Sequence, residues 1–471
     1  MRVEEFKDFV KAKAEEFKQW DKKATIRVIS HLDSDGICAC SLLTHALNRD
    51  NRKYSITIVP QLKEDVVREI ADEDYKYYVF TDLGSGNLSD ISKYFTDKIV
   101  LILDHHQIQG EPTENITHIN PLNFDIDGSK EISGSGVVFL FVQALNPENK
   151  DFVHLAIIGA IGDVQENKGF GKLNDELLQL AIEEGRIKRR QGLRFFGLQT
   201  RPIHKLLEYS NDLIIPEVTG SESSSIQFLK NLGIEPQDDK GNWKRLDDLT
   251  DDEKKKLIAG IVMKRSDSED PEDIFTNVYE LPGEENGLPF RDAREFSTLL
   301  NACGRMNNAS LGIGVCLGDK KMKEKAIASL KDYKKEIVNA MKWYKANKDS
   351  EFITKGKGYM IINAEDKVLP TMIGTISSIL SNSNSIDAGT FILGLAQNVD
   401  GTTKVSFRYA GQNHDNDLKE IISSIVKEAG GEAGGHKDAA GAIIETANEK
   451  KFLEVAKRVL EERGREEKVN Q

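Results

Sequence analysis

Short apolar runs that close on acids or histidines recur through the first third of the chain. Thr25-Ile26-Arg27-Val28-Ile29-Ser30 runs into His31-Leu32-Asp33-Ser34-Asp35-Gly36. Tyr77-Tyr78-Val79-Phe80-Thr81 runs into Asp82-Leu83-Gly84-Ser85-Gly86, and Ile99 to Leu103 runs into Asp104-His105-His106. With Tyr54 to Val59 these runs predict strands, because they are short, rich in β-branched and aromatic residues, and bounded by turn formers. Helical spacing lies between and before them. It covers residues 1–20, with Phe6, Phe9, Val10 and Phe17 on one side, then Ile37 to Leu47 and Glu64 to Glu73. Strand and helix alternating in this way predict a parallel sheet with helices on its faces.

Further on, Ser133-Gly134-Ser135-Gly136 opens a helix, and a second helix from Asp151 ends in Gly159-Ala160-Ile161-Gly162-Asp163. From about 170 to 295 the alternation stops, and basic, acidic and helical pieces predict a mainly helical insertion. Phe296 to Leu317 restores order, and Lys320 to Asn347 reads as a long basic linker helix. From Gly358 the α/β pattern returns, with strands at Tyr359–Ile362, Thr390–Leu395 and Lys404–Arg408. The last two pair across a turn at Asp400-Gly401. Helices are expected at Thr371–Ser381, Leu418–Ala429 and Lys451–Glu462, with a glycine-rich run, Gly430 to His436, between the last two. The fold class expected is therefore α/β: a parallel-sheet domain over 1–185, the helical insertion over 186–295, the end of the first region with its linker helix over 296–350, and a smaller α/β domain over 351–471.

Composition narrows the class. The 471 residues are 39% apolar and 30% charged, so the chain can bury two or three cores. No apolar run approaches the ~18 residues that a membrane span needs, and the charged, helical N-terminus lacks a signal-peptide core. A cytoplasmic protein without a membrane partner is expected. A net charge of −13 rules out a uniformly basic surface but leaves room for local basic patches. The 4 cysteines, Cys38, Cys40, Cys303 and Cys316, lack paired CxxC spacing and read as small buried apolar residues.

The chemistry concentrates at strand and helix tips. His31, Asp33, Asp35, Asp82, Asp104, His105, His106 and Asp163 come from four separate elements, and in a parallel sheet such tips share one edge. Carboxylates gathered there repel one another unless a divalent cation neutralises them. Carboxylate and imidazole without thiolate suit Mn²⁺ or Mg²⁺ better than zinc. Two such ions about 3.5–4 Å apart stabilise the attacking and leaving oxygens of a phosphoryl displacement, and Asp82 is the candidate to bridge them. A bland alternative, a capped strand end with surface histidines, suits any one motif but not four in alternation. No G-x-S-x-G, no G-x-x-x-x-G-K-[ST] and no G-x-G-x-x-G after the first strand is present, which argues against serine nucleophiles, a P-loop and a dinucleotide fold. Arg305 and Arg408 are candidate phosphate contacts. Gly434-Gly435-His436 either lets a phosphate approach backbone amides or simply caps a helix.

Asp33-Ser34-Asp35-Gly36, Asp82, Asp104-His105-His106 and Gly159 to Asp163 resemble the four motifs of the DHH phosphoesterase superfamily. Asn301-Ala302-Cys303-Gly304-Arg305 resembles a motif of its RecJ nuclease branch. Ser406-Phe407-Arg408 and Gly434-Gly435-His436 resemble the DHHA1 domain. Length and insertion look most like archaeal RecJ-like proteins, including the GINS-associated nuclease, relatives of the Cdc45-type helicase subunit. The resemblance implies that Asp35, Asp82, His105 and Asp163 hold one Mn²⁺, and Asp33 and Asp82 a second, with His31 as an extra ligand. It implies that His106 contacts the scissile phosphate or water, that Asp82, His105, His106 and Asp163 are the catalytic group, and that Asn301, Arg305, Ser406, Arg408, Gly434, Gly435 and His436 bind substrate. Asp104 would orient a histidine rather than ligate. The sequence departs from the family in placing its histidine two residues before Asp33, where many members place it four before. The activity implied is a Mn²⁺-dependent (or Mg²⁺-dependent) single-strand exonuclease, 5′ to 3′ on DNA and RNA, in replication or repair. The alternatives are hydrolysis of oligonucleotides or small phosphoesters, and a scaffold that binds the GINS complex and the replicative helicase through its acidic insertion.

Overall fold

The computed structural model describes residues 1–166, 169–210, 213–268, 270–271, 273–383, 386–411, 416–435 and 437–466. It divides into two compact units, Met1–Leu330 and Lys331–Gln471.

The first unit holds five parallel strands, β1 Thr25–His31, β2 Lys53–Val59, β3 Tyr77–Thr81, β4 Ile99–Leu103 and β5 Ile116–Ile119, in the order β2-β1-β3-β4-β5. Its helices begin with α1 Val3–Lys18, α2 Ser34–Arg49, α3 Glu64–Ala71, α4 Leu88–Tyr94, α5 Gly134–Leu145, α6 Val153–Gly162 and α7 Lys172–Glu183. Period-two alternation sends Tyr78, Phe80, Val100 and Ile102 to one face, where they pack with Val67 and Ile70 of α3 and Leu88 and Ile91 of α4. The runs in α5 and α6 are apolar almost all round, and both helices are accordingly buried. The strand β5 escaped the pattern because Ile116-Thr117-His118-Ile119 is short and carries a histidine.

The insertion contains α8 Ile203–Glu208, α9 Glu222–Asn231 and α10 Asp251–Lys264, closed on Leu206, Leu207, Phe228, Leu229, Leu257 and Ile261. It also contains what the sequence pattern did not predict, an antiparallel pair of β6 Lys188–Leu193 with β7 Phe275–Glu280. Lys188-Arg189-Arg190-Gln191 has no apolar alternation, and its partner stands far along the chain, so no local signal marks it. The unit ends with α11 Ala293–Arg305 and α12 Ala309–Cys316, and α13 Lys320–Asn347 runs across the division into the second unit.

The second unit is a six-stranded mixed sheet in the order β12-β13-β11-β10-β9-β8, formed by β8 Ile353–Gly356, β9 Tyr359–Asn363, β10 Thr390–Gln397, β11 Thr402–Ala410, β12 Glu432–Gly435 and β13 Ala440–Glu445. With it come α14 Pro370–Ser381, α15 Leu418–Ala429 and α16 Glu449–Glu466. The expected β10–β11 hairpin is present, with Gly401 at φ +84° in its turn. Phe391, Leu393 and Phe407 pack with Ile422 and Ile425 of α15 and Phe452 and Leu460 of α16. Among the described residues, no helix is long and apolar enough to cross a membrane.

Candidate metal centre

In the first sheet the chain leaves β1 for β2 on one side and then crosses to β3 on the other. The crevice outside the carboxyl ends of β1 and β3 is therefore a topological switch point, where open α/β sheets bind ligands. The acids and histidines meet there. His31 ends β1, Asp33 caps α2 by accepting from the Gly36 N–H at 3.0 Å, and Asp163 caps the end of α6. Asp82 follows β3 with φ +58°, a left-handed conformation that costs a non-glycine residue about 1–2 kcal/mol; such strain concentrates at functional sites. Its N–H bonds the Leu103 carbonyl at 2.9 Å, which ties the β3 tip to the β4 tip. Two glycines make room. A Cβ on Gly134 would lie 2.2 Å from Asp82 Oδ1, and one on Gly159 would lie 2.3 Å from Asp35 Oδ1.

Three groups of side chains have ligand atoms all within 4.8 Å of one another: Asp35, His105 and Asp163; His31, Asp33 and Asp82; and Asp82, Asp104, His105 and His106. His105 Nε2 stands 3.4 Å from Asp82 Oδ1, 3.8 Å from Asp163 Oδ2 and 3.9 Å from Asp35 Oδ2. His31 Nδ1 is 3.0 Å from Asp33 Oδ2 and 3.9 Å from Asp82 Oδ2. Asp35 and Asp82 are 2% exposed and His105 3%.

The hydrogen bonds test whether a cation fits. Asp35 Oδ1 accepts from the Ser133 hydroxyl at 2.9 Å and the Ser135 N–H at 3.1 Å, but Asp35 Oδ2 has no hydrogen-bond partner. Asp82 Oδ1 likewise has none. His105 Nδ1 donates to the Gly128 carbonyl at 2.6 Å, which leaves the acceptor lone pair on Nε2, and Nε2 has no hydrogen-bond partner either. Buried polar atoms are almost always paired, and an orphan costs about 1–3 kcal/mol. Two orphaned carboxylate oxygens within 4 Å of an orphaned imidazole nitrogen make a donor set for a hard or borderline divalent cation. The residues fit Mn²⁺ or Mg²⁺.

The same crowding shifts the titrations. Burial, reinforced by Asp35, pushes the Asp82 carboxyl well above its ordinary range. Burial pushes Asp163 up to about 6, with Asp35 and Asp33 adding to it against His105. Burial works against charge on His105, yet Asp82, Asp163 and Asp35 together raise it well above the usual imidazole value. Without a cation, protons must neutralise this cluster.

Asp104 is spent differently. It is fully buried, its Oδ1 accepts from His106 Nδ1 at 2.7 Å and the His105 N–H at 2.8 Å, and its Oδ2 accepts from the Ser85 N–H at 2.9 Å. Burial alone would raise its carboxyl, but His106 and His105 hold it far below the usual range. The motif's acid therefore fixes the turn and the His106 ring.

Asn301 Oδ1 accepts from the Ser34 N–H at 2.9 Å and so braces the α2 entry. Arg305 ends α11 beside Gly304, where a Cβ would lie 1.7 Å from the Leu32 carbonyl oxygen; the glycine lets α11 press on the loop between His31 and Asp33. Ser406 and Arg408 lie on β11 of the second unit. Arg408 Nε donates to Ser378 Oγ at 2.9 Å, and its Nη1 to the carbonyls of Phe407 at 2.8 Å and Ala440 at 3.2 Å. Gly434 and Gly435 belong to β12, opposite Gly441 and Ala440, and are neither a free loop nor a helix cap. His436 lies outside the described residues. Sequence reasoning missed the supporting groups Ser85, Gly128, Ser133, Gln165 and Asn174, since each acts through its backbone or through a contact outside its own element.

Three family models match the chain: the DHH family N-terminal domain over residues 25–161, the DHH-CID domain over 195–274 and the DHHA1 domain over 357–462. An uncharacterised protein of Methanocaldococcus jannaschii is 31% identical over 449 residues, 93% of this chain and 94% of the relative. Among solved structures, RecJ from Thermus thermophilus in complex with Mn²⁺ superposes with TM-score 0.59 at 15% identity, over 98% of this chain but 55% of that one. This chain thus spans about half the length of that RecJ. CDC45 from Entamoeba histolytica superposes with TM-score 0.62 at 13% identity, over 97% of this chain and 98% of that one. An exonuclease RecJ bound to manganese gives 0.55 at 16% identity, over 98% and 94%. With four strand and helix tips supplying one acid–histidine cluster, and with DHH, DHH-CID and DHHA1 domains in order along its length, the chain belongs to the DHH family as a RecJ-like DHH/DHHA1 protein.

Proposed function

We propose that this protein is a Mn²⁺-dependent exonuclease that degrades single-stranded DNA, and RNA as well, from the 5′ end, in replication or repair. The observation that carries the reading is the convergence of Asp35 Oδ2, Asp82 Oδ1 and His105 Nε2, three buried acceptors with no hydrogen-bond partner. RecJ structures holding Mn²⁺ share the fold, which supports the choice of ion. Asp35, Asp82, His105 and Asp163 would hold one ion, and Asp33 and Asp82, joined by His31, the other. When bound, such a pair neutralises the attacking and leaving oxygens of an in-line displacement at phosphorus.

The chain's own residues do the rest. The Gly128 carbonyl fixes the His105 tautomer. Asp104 holds the His106 ring through Nδ1, so that His106 can meet a phosphate oxygen of the scissile group. Burial of Asp35 and Asp82 keeps water from dispersing their charge. Arg305, Arg408 and His436, with Asn301, Ser406, Gly434 and Gly435, would grip substrate phosphates, and Arg408 is pre-oriented for this by Ser378.

Digestion of single strands labelled at the 5′ or the 3′ end, as DNA and as RNA, with Mn²⁺ or Mg²⁺, tests the proposal. Stepwise release from the 5′ end that is lost in Asp82→Ala is expected. Long strands left intact while dinucleotides are cleaved would instead make the protein an oligonucleotide phosphodiesterase. The fold shared with CDC45 supports a second role, as a scaffold for the GINS complex and the replicative helicase. Capture of GINS by the Asp82→Ala protein would separate binding from cleavage.

A further inference from the structure

Gln165 stands two residues beyond Asp163 and is 5% exposed. Its Nε2 donates to Asp163 Oδ2 at 2.8 Å and to the Gly128 carbonyl at 2.8 Å, while its Oε1 accepts from Asn174 Nδ2 at 2.7 Å. Chemistry fixes which way the amide points, because a carboxylate and a carbonyl only accept and the nitrogen must face them. Asn174 is itself fully buried and anchored by its N–H to the Glu131 carbonyl at 2.9 Å.

The Gly128 carbonyl is the same acceptor that takes the His105 Nδ1–H. One amide therefore reaches two proposed ligands. One of its hydrogens holds the Asp163 carboxylate, and the other holds the carbonyl that sets the tautomer of His105.

The backbone supplies a second, independent observation. Past the end of α6, Val164 adopts φ +60°. A β-branched residue in the left-handed region is an outlier, and the position is one that glycine usually takes after a helix. Val164 is 76% exposed, so its side chain gains no burial in return. The left-handed turn returns the Gln165 N–H to the Ala160 carbonyl at 2.9 Å, and Asp163 and Gln165 enter the same hydrogen-bond network on either side of it.

We infer that Gln165, steadied by Asn174, is a positioning residue of the cation site that aligns Asp163 and His105 together. This rests on the two-cation reading above. Partners one step behind a ligand typically govern about 10–100-fold in metal affinity or activity.

The test is Mn²⁺ binding to the full chain, followed by the electron paramagnetic resonance of free Mn²⁺, with thermal melting alongside. Gln165→Met keeps the volume but has no donor and no charge, so a space-filling role would survive it. The expected result is a Mn²⁺ dissociation constant raised about tenfold or more in a chain that is still folded at the temperature of measurement, with Tm lowered by the orphaned Asn174 amide. The Mn²⁺ concentration for half-maximal activity should rise by the same factor, with KM for the strand unchanged at saturating Mn²⁺. Asn174→Leu, one step further out, should act in the same direction by a smaller factor, and it carries the test if Gln165→Met does not fold. Equal Mn²⁺ affinity in wild type and variants overturns the inference and leaves the proposed function standing. No Mn²⁺ binding by the wild-type protein overturns both.

Discussion

Beyond the carboxyl ends of β1, β3 and β4, Asp35 Oδ2, Asp82 Oδ1 and His105 Nε2 are buried without hydrogen-bond partners. On the second sheet, Arg408 is braced by the Ser378 hydroxyl and the carbonyls of Phe407 and Ala440. The first arrangement gathers carboxylates whose charge only protons or a cation can neutralise. The second braces a cationic fork with a hydroxyl and two carbonyls and keeps it oriented. Crowded buried carboxylates suit a cation, and an arginine fork held in place suits an anion. Damage to the first should therefore appear in the chemistry, and damage to the second in binding.

The sharpest break in this comparison is Asp82. Asp82→Ala should lower Mn²⁺-dependent hydrolysis by about 10³-fold or more, because several kcal/mol of charge stabilisation depends on the ions it would bridge. The end-label assay reads this directly. Asp82→Asn sharpens the point: without metal it stands in for the protonated carboxyl that burial favours, and it keeps a residue type that tolerates the left-handed backbone. It should therefore melt close to wild type in chelator, while Mn²⁺ should raise the Tm of wild type more than that of the variant, and an equal rise in both would count against Asp82 as a ligand. Arg408→Ala should raise KM for single strands about tenfold with a smaller change in kcat, as expected for a lost charged contact to phosphate. Steady-state kinetics at saturating Mn²⁺ checks the split.

An effect on stability rather than on activity concerns a histidine outside both sites. His154 sits in α6 with Nδ1 unpaired, and burial, helped by Arg186, pushes its imidazole down to about 4. An unfolded histidine titrates near 6.5. Between those values the unfolded chain binds the extra proton, so the contribution is intact above about pH 6.5 and is lost as pH falls toward 4, up to about 3 kcal/mol. His154→Gln should flatten the fall in stability between pH 7 and pH 4.5 measured by denaturant unfolding, while activity stays as in wild type.

The acids and histidines at the strand tips were legible because each closes a short apolar run, and an apolar run ending in polar groups marks the carboxyl edge of a buried strand. Their support was not legible. Ser133 reaches Asp35 across 98 residues and Gly128 reaches His105 across 23, with nothing local to announce either. Asp104 shows the intermediate case: its place in the motif suggested an orienting role, and the bonds to His105, His106 and Ser85 give that role a geometry. Strand pairing followed the same rule. The β10–β11 hairpin carried its turn with it, whereas β6 and β7 meet only across the whole insertion. Glu432-Ala433-Gly434-Gly435 forms a strand in spite of its glycines, because β13 offers it an edge to pair with.

The two-cation site is tested most directly by an anomalous difference map at the manganese edge from a crystal grown with Mn²⁺. It predicts two peaks about 3.5–4 Å apart on either side of the Asp82 carboxylate, one against Asp35, His105 and Asp163 and the other against Asp33. An empty crevice, or manganese bound away from Asp82, would contradict it.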